Sequence, residues 1–243
     1  MDNCRHFIII GAQRSGTTFL YDRLSAHPEV EMNQPMRPEP KYFLNKDVNY
    51  GSYLETCFDA VSGEGFLLGE KSTSYYEHPE VIDRIKSVLP DVKLICMLRN
   101  PVERALSNYF FSLNHGLETR SLEEVFIENR PSPELKNNVS VDPFDYLGRG
   151  EYDRHLKAFK EAFSNDLKLL LFEDVVSGGG IDSVFRFLDL EPLNMQPEEK
   201  GQAINKSERL AVPDQVRQRL RDYYYPRIDS MERNLGLDLN AWK

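Results

Sequence analysis

The chain has 243 residues, 40% of them hydrophobic and 28% charged, with a net charge of −9. That composition excludes a collagen, a coiled coil or a wholly disordered chain, and the acidic balance excludes binding nucleic acid through overall charge, which relies on clustered Lys and Arg. The longest apolar runs, 7–10 and 167–172, fall far short of the roughly 20 residues a bilayer span needs. No signal-peptide core follows Met1 to Arg5, so a cytoplasmic protein without a membrane partner is expected.

Phe7 to Ile10 reads as a buried parallel strand running into Gly11, and Thr17 to Ala26 as a helix with Phe19, Leu20 and Leu24 on one face, stopped by His27-Pro28. Residues 30 to 66 read as loops around a short helix, with an aromatic group (Tyr42, Phe43, Tyr50, Tyr53, Phe58) that serves either as a stacking platform or as core. A short strand over 67–71, a helix over 79–89 and a strand over 93–98 follow. Asn100-Pro101 then has the form of an N-cap and first helical residue, opening a helix to about Leu113. The polar stretch 118–149 is expected to be irregular, a candidate lid. Beyond it come an amphipathic helix over 151–163, a strand over 167–172, a glycine turn at 178–180, a helix over 181–188, a loop over 189–212, and a helix over 213–234 interrupted at Tyr225-Pro226. Strands alternating with helices predict one α/β domain over 1–243, a parallel sheet covered on both faces, with ligands outside the carboxyl ends of the strands.

Two motifs fall at that edge. The loop Gly11-Ala12-Gln13-Arg14-Ser15-Gly16-Thr17-Thr18 has the glycine spacing of a phosphate-binding loop, but Thr17 stands where a nucleoside triphosphate site requires lysine, and Arg14 places a cation earlier. Its amides and the helix N-terminus suit a phosphate all the same. Second, Arg99 leaves a strand and Ser107 lies two turns into the capped helix, so both can reach one anion; Arg104 between them reads as a solvated or ion-paired surface residue. Cys4, Cys57 and Cys96 are odd in number and share no metal or redox spacing, so reduced thiols are expected. Asn-x-Ser sequons at Asn138 and Asn205 are read as chance occurrences, and His78, His115 and His155 as surface, capping or packed residues.

Together the two motifs resemble the sulfotransferases that use 3′-phosphoadenosine 5′-phosphosulfate (PAPS). The resemblance implies a P-loop-like three-layer sandwich, a central parallel sheet flanked by helices. It implies that Gln13, Arg14, Ser15, Gly16, Thr17 and Thr18 hold the 5′-phosphosulfate and Arg99 and Ser107 the 3′-phosphate. Pro38-Glu39-Pro40-Lys41-Tyr42-Phe43 looks like the segment of glucosaminyl sulfotransferases whose Glu is the catalytic base, which implies that role for Glu39. Gly69-Glu70-Lys71-Ser72-Thr73 looks like the segment whose Lys lies beside the sulfonate, which implies that Lys71 and Arg14 offset charge there. Lys206, Ser207 and Arg209 sit where the family has a basic loop over the nucleotide, and Tyr152 and His155 echo a Tyr-x-x-His-Leu helix. Two departures stand out: Pro38 replaces the usual Lys before the Glu, and Thr73 replaces the usual Pro.

The expected reaction is therefore sulfonyl transfer from PAPS to a hydroxyl or amine of a carbohydrate or small-metabolite acceptor, without a metal. Two other readings stay open at this level. One is a P-loop kinase or NTPase, with the acid at the end of Leu169 to Asp174 holding magnesium; the other is a non-catalytic nucleotide-binding module.

Overall fold

A computed structural model describes residues 4–58, 65–134, 141–177, 179–193 and 211–243. The described residues divide into two units, one formed by Met1–Leu98 with Ala158–Ile204 and the other by Arg99–Lys157 with Asn205–Lys243.

The first unit is built on a five-stranded sheet in the order β2-β3-β1-β4-β5. β1 (Arg5–Gly11) lies between β3 (Leu67–Lys71) and β4 (Lys93–Leu98), with β2 (Val30–Met32) and β5 (Leu167–Leu171) at the edges, every pairing parallel. Phe7 to Ile10 are fully buried on both faces, which is why the run is continuously apolar rather than alternating. Phe7 and Ile9 pack with Phe19, Leu20 and Leu24 of α1 (Thr17–Ser25) and with Ile181, Val184 and Phe185 of a helix over Gly180–Phe187. α2 (Tyr50–Cys57) and α3 (Val81–Val88) complete the early crossovers. The chain leaves β1 toward β2 and β3 on one side and returns at β4 on the other, so the topological switch point falls beside Gly11.

The sequence reading missed β2, whose three residues are too few to show a period. The aromatic group resolves as core: Phe43 and Tyr53 are fully buried and Tyr42 nearly so, their rings meeting edge to face or tilted at centroid distances of 5.3 to 5.5 Å.

In the second unit α4 (Pro101–Asn114) starts as expected, the Asn100 side chain accepting the Val102 amide at 3.0 Å. Its buried face joins Leu122 and Phe126 of α5 (Leu122–Phe126), Phe144, Tyr146, and Val216, Leu220 and Tyr224 of the C-terminal helix. The described residues of the stretch expected to be irregular thus include a short helix. Ser121 and Glu124 form a capping box that starts α5, and Phe144 and Tyr146 anchor its end in the core. Along the chain α6 (Tyr152–Phe163) follows, then α7 (Phe172–Val176) and α8 (Gly180–Phe187) of the first unit and α9 (Asp214–Leu235) of the second.

Two further expectations are corrected. α9 runs through Pro226 without a break; the carbonyl that loses its bond is that of Asp222, which is exposed and can be hydrated instead. Arg104 is fully buried rather than solvated: its guanidinium donates to the Tyr146 carbonyl and, at 3.3 Å, to Asn108 Oδ1. A buried cation one turn into the helix is tolerated where carbonyl and amide oxygens meet it. No helix among the described residues is long and apolar enough to cross a membrane.

Candidate active site

The loop after β1 closes a tight turn. Ala12 donates its amide to the Met97 carbonyl at 2.8 Å, and Arg14 (φ 70°) and Gly16 (φ 88°) take left-handed conformations, an alternation that turns successive amides toward one concavity. Only glycine fits at Gly16, where a Cβ would lie 2.6 Å from the Phe172 ring. Gly16 is also the N-cap of α1 and supplies no side-chain cap, and the Ser15 hydroxyl is buried without a partner. Uncapped first-turn amides, a buried hydroxyl and the positive end of the helix dipole together suit an anion.

Glu39 and Lys71 come together. Lys71, the last residue of β3, has a side chain only 3% exposed, and its Nζ lies 2.5 Å from Glu39 Oε1, the Glu39 side chain being 16% exposed. Lys71 is thus no surface lysine, and Glu39 no freely solvated loop carboxylate. Thr73 holds the same carboxylate twice, its amide donating to Oε2 at 2.9 Å and its hydroxyl reaching Oε1 at 2.9 Å. A carboxylate offers about four acceptor positions. Lys71, the Thr73 amide and the Thr73 hydroxyl use three, which leaves one for an incoming donor.

Two contributors, Asn33 and Arg37, were not singled out from sequence, and a third, Thr73, was noted only as a departure. Asn33 is fully buried and accepts the Lys71 amide on Oδ1 at 2.9 Å, so it fixes the strand end that carries the lysine. Arg37 donates to Thr18 Oγ1 at 3.2 Å, putting a cation from the Glu39 segment against the start of α1. The signal was its place next to Pro38, where the resembled segment has lysine. Thr73 supplies an amide donor that proline cannot, so the departure at this position is put to use.

In the second unit Arg99 precedes the N-cap of α4, its carbonyl accepting from Tyr152 at 2.8 Å, and Ser107 is buried on α4. His155 is satisfied by the Gly148 carbonyl at 2.9 Å, and burial lowers its pKa. His115 bonds the Phe111 carbonyl at the end of α4, as its capping role anticipated. A cavity of about 680 Å³ in this unit is lined by Asn100, Glu103, Arg217, Arg221, Tyr224 and Trp242 among others, and none of Glu39, Lys71 or residues 13–18 borders it. Lys206, Ser207 and Arg209, and the sequons at Asn138 and Asn205, lie outside the described residues.

A sequence profile of the family described as "Sulfotransferase domain" matches residues 4–205. The chain belongs to the sulfotransferase family. Among its relatives, the membrane-associated sulfotransferase kil1 of Dictyostelium discoideum is 30% identical over 166 residues, covering 64% of this chain and 32% of that protein. Heparan sulfate glucosamine 3-O-sulfotransferase 3A1 of Mus musculus is 31% identical over 158 residues, covering 64% of this chain and 37% of that protein. The match thus spans about a third of the length of these relatives. A solved sulfotransferase from Alicyclobacillus acidocaldarius shares the fold, with a TM-score of 0.75 at 24% identity over 98% of both chains. Within this sulfotransferase fold, Gly11 and Lys71 end adjacent parallel strands, the edge where the sequence analysis placed the site.

The Thr73 contacts give a first test. Thr73→Val keeps the amide donor and removes the hydroxyl, and a hydrogen bond to a charged group contributes about 1.5–3 kcal/mol. We expect a kcat about tenfold or more below wild type with nucleotide affinity unchanged, the two read from steady-state rates and a binding titration. Wild-type turnover in Thr73→Val would remove Thr73 from the site.

Proposed function

We propose that this chain is a sulfotransferase that moves the sulfonyl group of PAPS to a hydroxyl or amine of a carbohydrate or small-metabolite acceptor, and that residues 1–243 act as one such domain. The observation that carries the reading is the junction of two parts within the first unit. The segment bearing Glu39, held by Lys71 and Thr73, reaches the phosphate loop through the Arg37 to Thr18 hydrogen bond. The family match from 4 to 205 runs through both units and supports the single-domain reading.

The loop fits the 5′-phosphate of PAPS on the observations above: left-handed Arg14 and Gly16, the buried Ser15 hydroxyl and the uncapped helix start. Gln13 to Thr18 would hold that phosphate, and Arg99 and Ser107 the 3′-phosphate. PAPS supplies the activated sulfonyl group. Glu39 takes the proton of the attacking hydroxyl at its remaining acceptor position, while Lys71 and Thr73 keep the carboxylate aimed. Arg14 and Lys71 place positive charge where negative charge develops during transfer. The glucosamine 3-O-sulfotransferase named above supports a carbohydrate acceptor. The kinase alternative loses ground because β5 ends at Leu171 and Asp174 is exposed on α7.

At a hundredfold excess over Kd, 3′-phosphoadenosine 5′-phosphate should stabilise the protein by about 2.7 kcal/mol. A thermal-shift titration should show that gain for the wild type, its loss in Arg99→Ala, and no gain from ATP with magnesium. The reverse ligand preference would overturn the reading. Labelled PAPS with a panel of sugar and small-metabolite acceptors then identifies the acceptor.

A further inference from the structure

Next to Lys71 on β3 sits Glu70, a carboxylate that is fully buried and has no part in the reaction as described above. Its Oε1 accepts the Ser72 hydroxyl at 2.6 Å and the Tyr75 hydroxyl at 2.7 Å. Each of those hydroxyl oxygens in turn accepts a main-chain amide of the segment that carries Glu39: Lys41 N–H to Ser72 Oγ at 2.9 Å, and Phe43 N–H to Tyr75 Oη at 2.9 Å. A hydroxyl has a single proton, so committing it to Glu70 leaves the lone pairs facing the amides. Lys41 itself is left-handed (φ 50°), a conformation a lysine holds only where its surroundings impose it. Two anchors, one on Lys41 and one two residues beyond, impose it here.

We propose that Glu70 is the positioning residue of the Glu39 segment, acting through Ser72 and Tyr75 to fix where the Glu39 carboxylate meets the acceptor. This rests on Glu39 being the base. One short stretch, from Glu70 to Tyr75, then does two jobs: Lys71 and Thr73 hold the carboxylate directly, and Glu70, Ser72 and Tyr75 hold the backbone on which it is mounted. What Glu70 supplies is an acceptor oxygen rather than a charge. The groups facing it agree with that, since Tyr53 and Cys57 of α2, Tyr75 and Glu39 surround it and none of them is a cation.

Two measurements on the same preparations test this: amide hydrogen exchange at Lys41 and Phe43 by NMR, and kcat together with 3′-phosphoadenosine 5′-phosphate affinity. Ser72→Ala and Tyr75→Phe each cut one anchor while leaving the buried carboxyl a donor, so both remain usable if Glu70→Ala fails to fold. Exchange at Lys41 should quicken about tenfold in Ser72→Ala, and exchange at Phe43 similarly in Tyr75→Phe, for the loss of one hydrogen bond. Both variants should lose about 10- to 100-fold in kcat through misplacement of the base, with nucleotide affinity kept. Glu70→Gln preserves the acceptor oxygen and should recover most of the kcat and amide protection that Glu70→Ala loses. Unchanged exchange at both amides, or a Glu70→Gln variant as impaired as Glu70→Ala, overturns the proposal. If Glu39→Gln is dead while Ser72→Ala and Tyr75→Phe turn over at the wild-type rate, the positioning role falls and the base assignment stands. A Glu39→Gln enzyme with normal turnover instead removes the base assignment on which the proposal rests.

Discussion

Replacing Glu39 by glutamine should reduce kcat by about 10²- to 10⁴-fold, the range that a positioned general base contributes. The substitution keeps the shape and most of the hydrogen bonds: the amide oxygen can still accept from Lys71 or from Thr73, which hold the carboxylate now at 2.5 and 2.9 Å. What it removes is the capacity to take a proton and the charge opposite Lys71. Lys71 is then left almost fully buried without its ion-pair partner, so some loss of thermal stability accompanies the loss of rate. Affinity for 3′-phosphoadenosine 5′-phosphate should stay near that of the wild type, because the nucleotide contacts assigned above come from the loop 13–18 and from Arg99 and Ser107. Single-turnover rates with labelled PAPS and a calorimetric titration on one preparation separate the two quantities. Turnover within a few-fold of wild type would assign the base elsewhere, with His78 and His115 next to be tried.

The second large effect concerns pH and stability, and two buried groups of the first unit oppose each other in it. Burial raises the Glu70 carboxyl from 4.5 to about 7, against the bonds from Ser72 and Tyr75 that favour its charged form. Burial lowers His6, on β1 beside Tyr50 and Tyr53, from 6.5 to about 4. For Glu70 the folded state binds the extra proton between those two values, so its contribution is fully present below pH 4.5 and is lost as pH rises through 7. For His6 the unfolded state binds the extra proton, so its contribution is present above pH 6.5 and is lost as pH falls through 4. Each shift corresponds to a few kcal/mol at about 1.4 kcal/mol per unit. Between pH 4.5 and 6.5 the slopes from these two groups offset each other. Glu70→Gln removes one slope. Its stability should gain on that of wild type as pH rises from 4.5 to 7 and exceed it above pH 7, where the ionised Glu70 is the larger burden. Urea denaturation of both proteins at several pH values gives the curves. Parallel curves for wild type and Glu70→Gln would mean that Glu70 does not titrate in this range.

The sequence by itself determined what neighbours along the chain can specify. A continuous β-branched run marked β1, its glycine and the following hydroxyl residues marked the turn into α1, and Asn100-Pro101 marked the start of α4. Each of these signals is a local conformational preference or a short period, complete within about ten residues. The same locality explains the misreadings. Pro226 has a strong helix-breaking preference that the exposed position of Asp222 makes tolerable, and Arg104 has a preference for solvent that the Tyr146 and Asn108 oxygens override.

Only the tertiary structure decided which groups meet. Glu39 lies 32 residues from Lys71 and 34 from Thr73 along the chain, and these contacts exist because β3 ends where the segment after β2 passes over it. Nothing in the identity of Thr73 announces two donors aimed at a carboxylate; in the sequence it was a departure from a pattern. Arg37 reaches Thr18 and Asn33 holds the Lys71 amide for the same reason. Glu70 shows the limit most plainly. Beside Lys71 it reads as one more charged residue, and only the packing of α2 and the 75–77 turn around β3 removes it from water and turns its oxygen toward two hydroxyls. Burial and register are properties of the assembled sheet, and no window of the chain contains them.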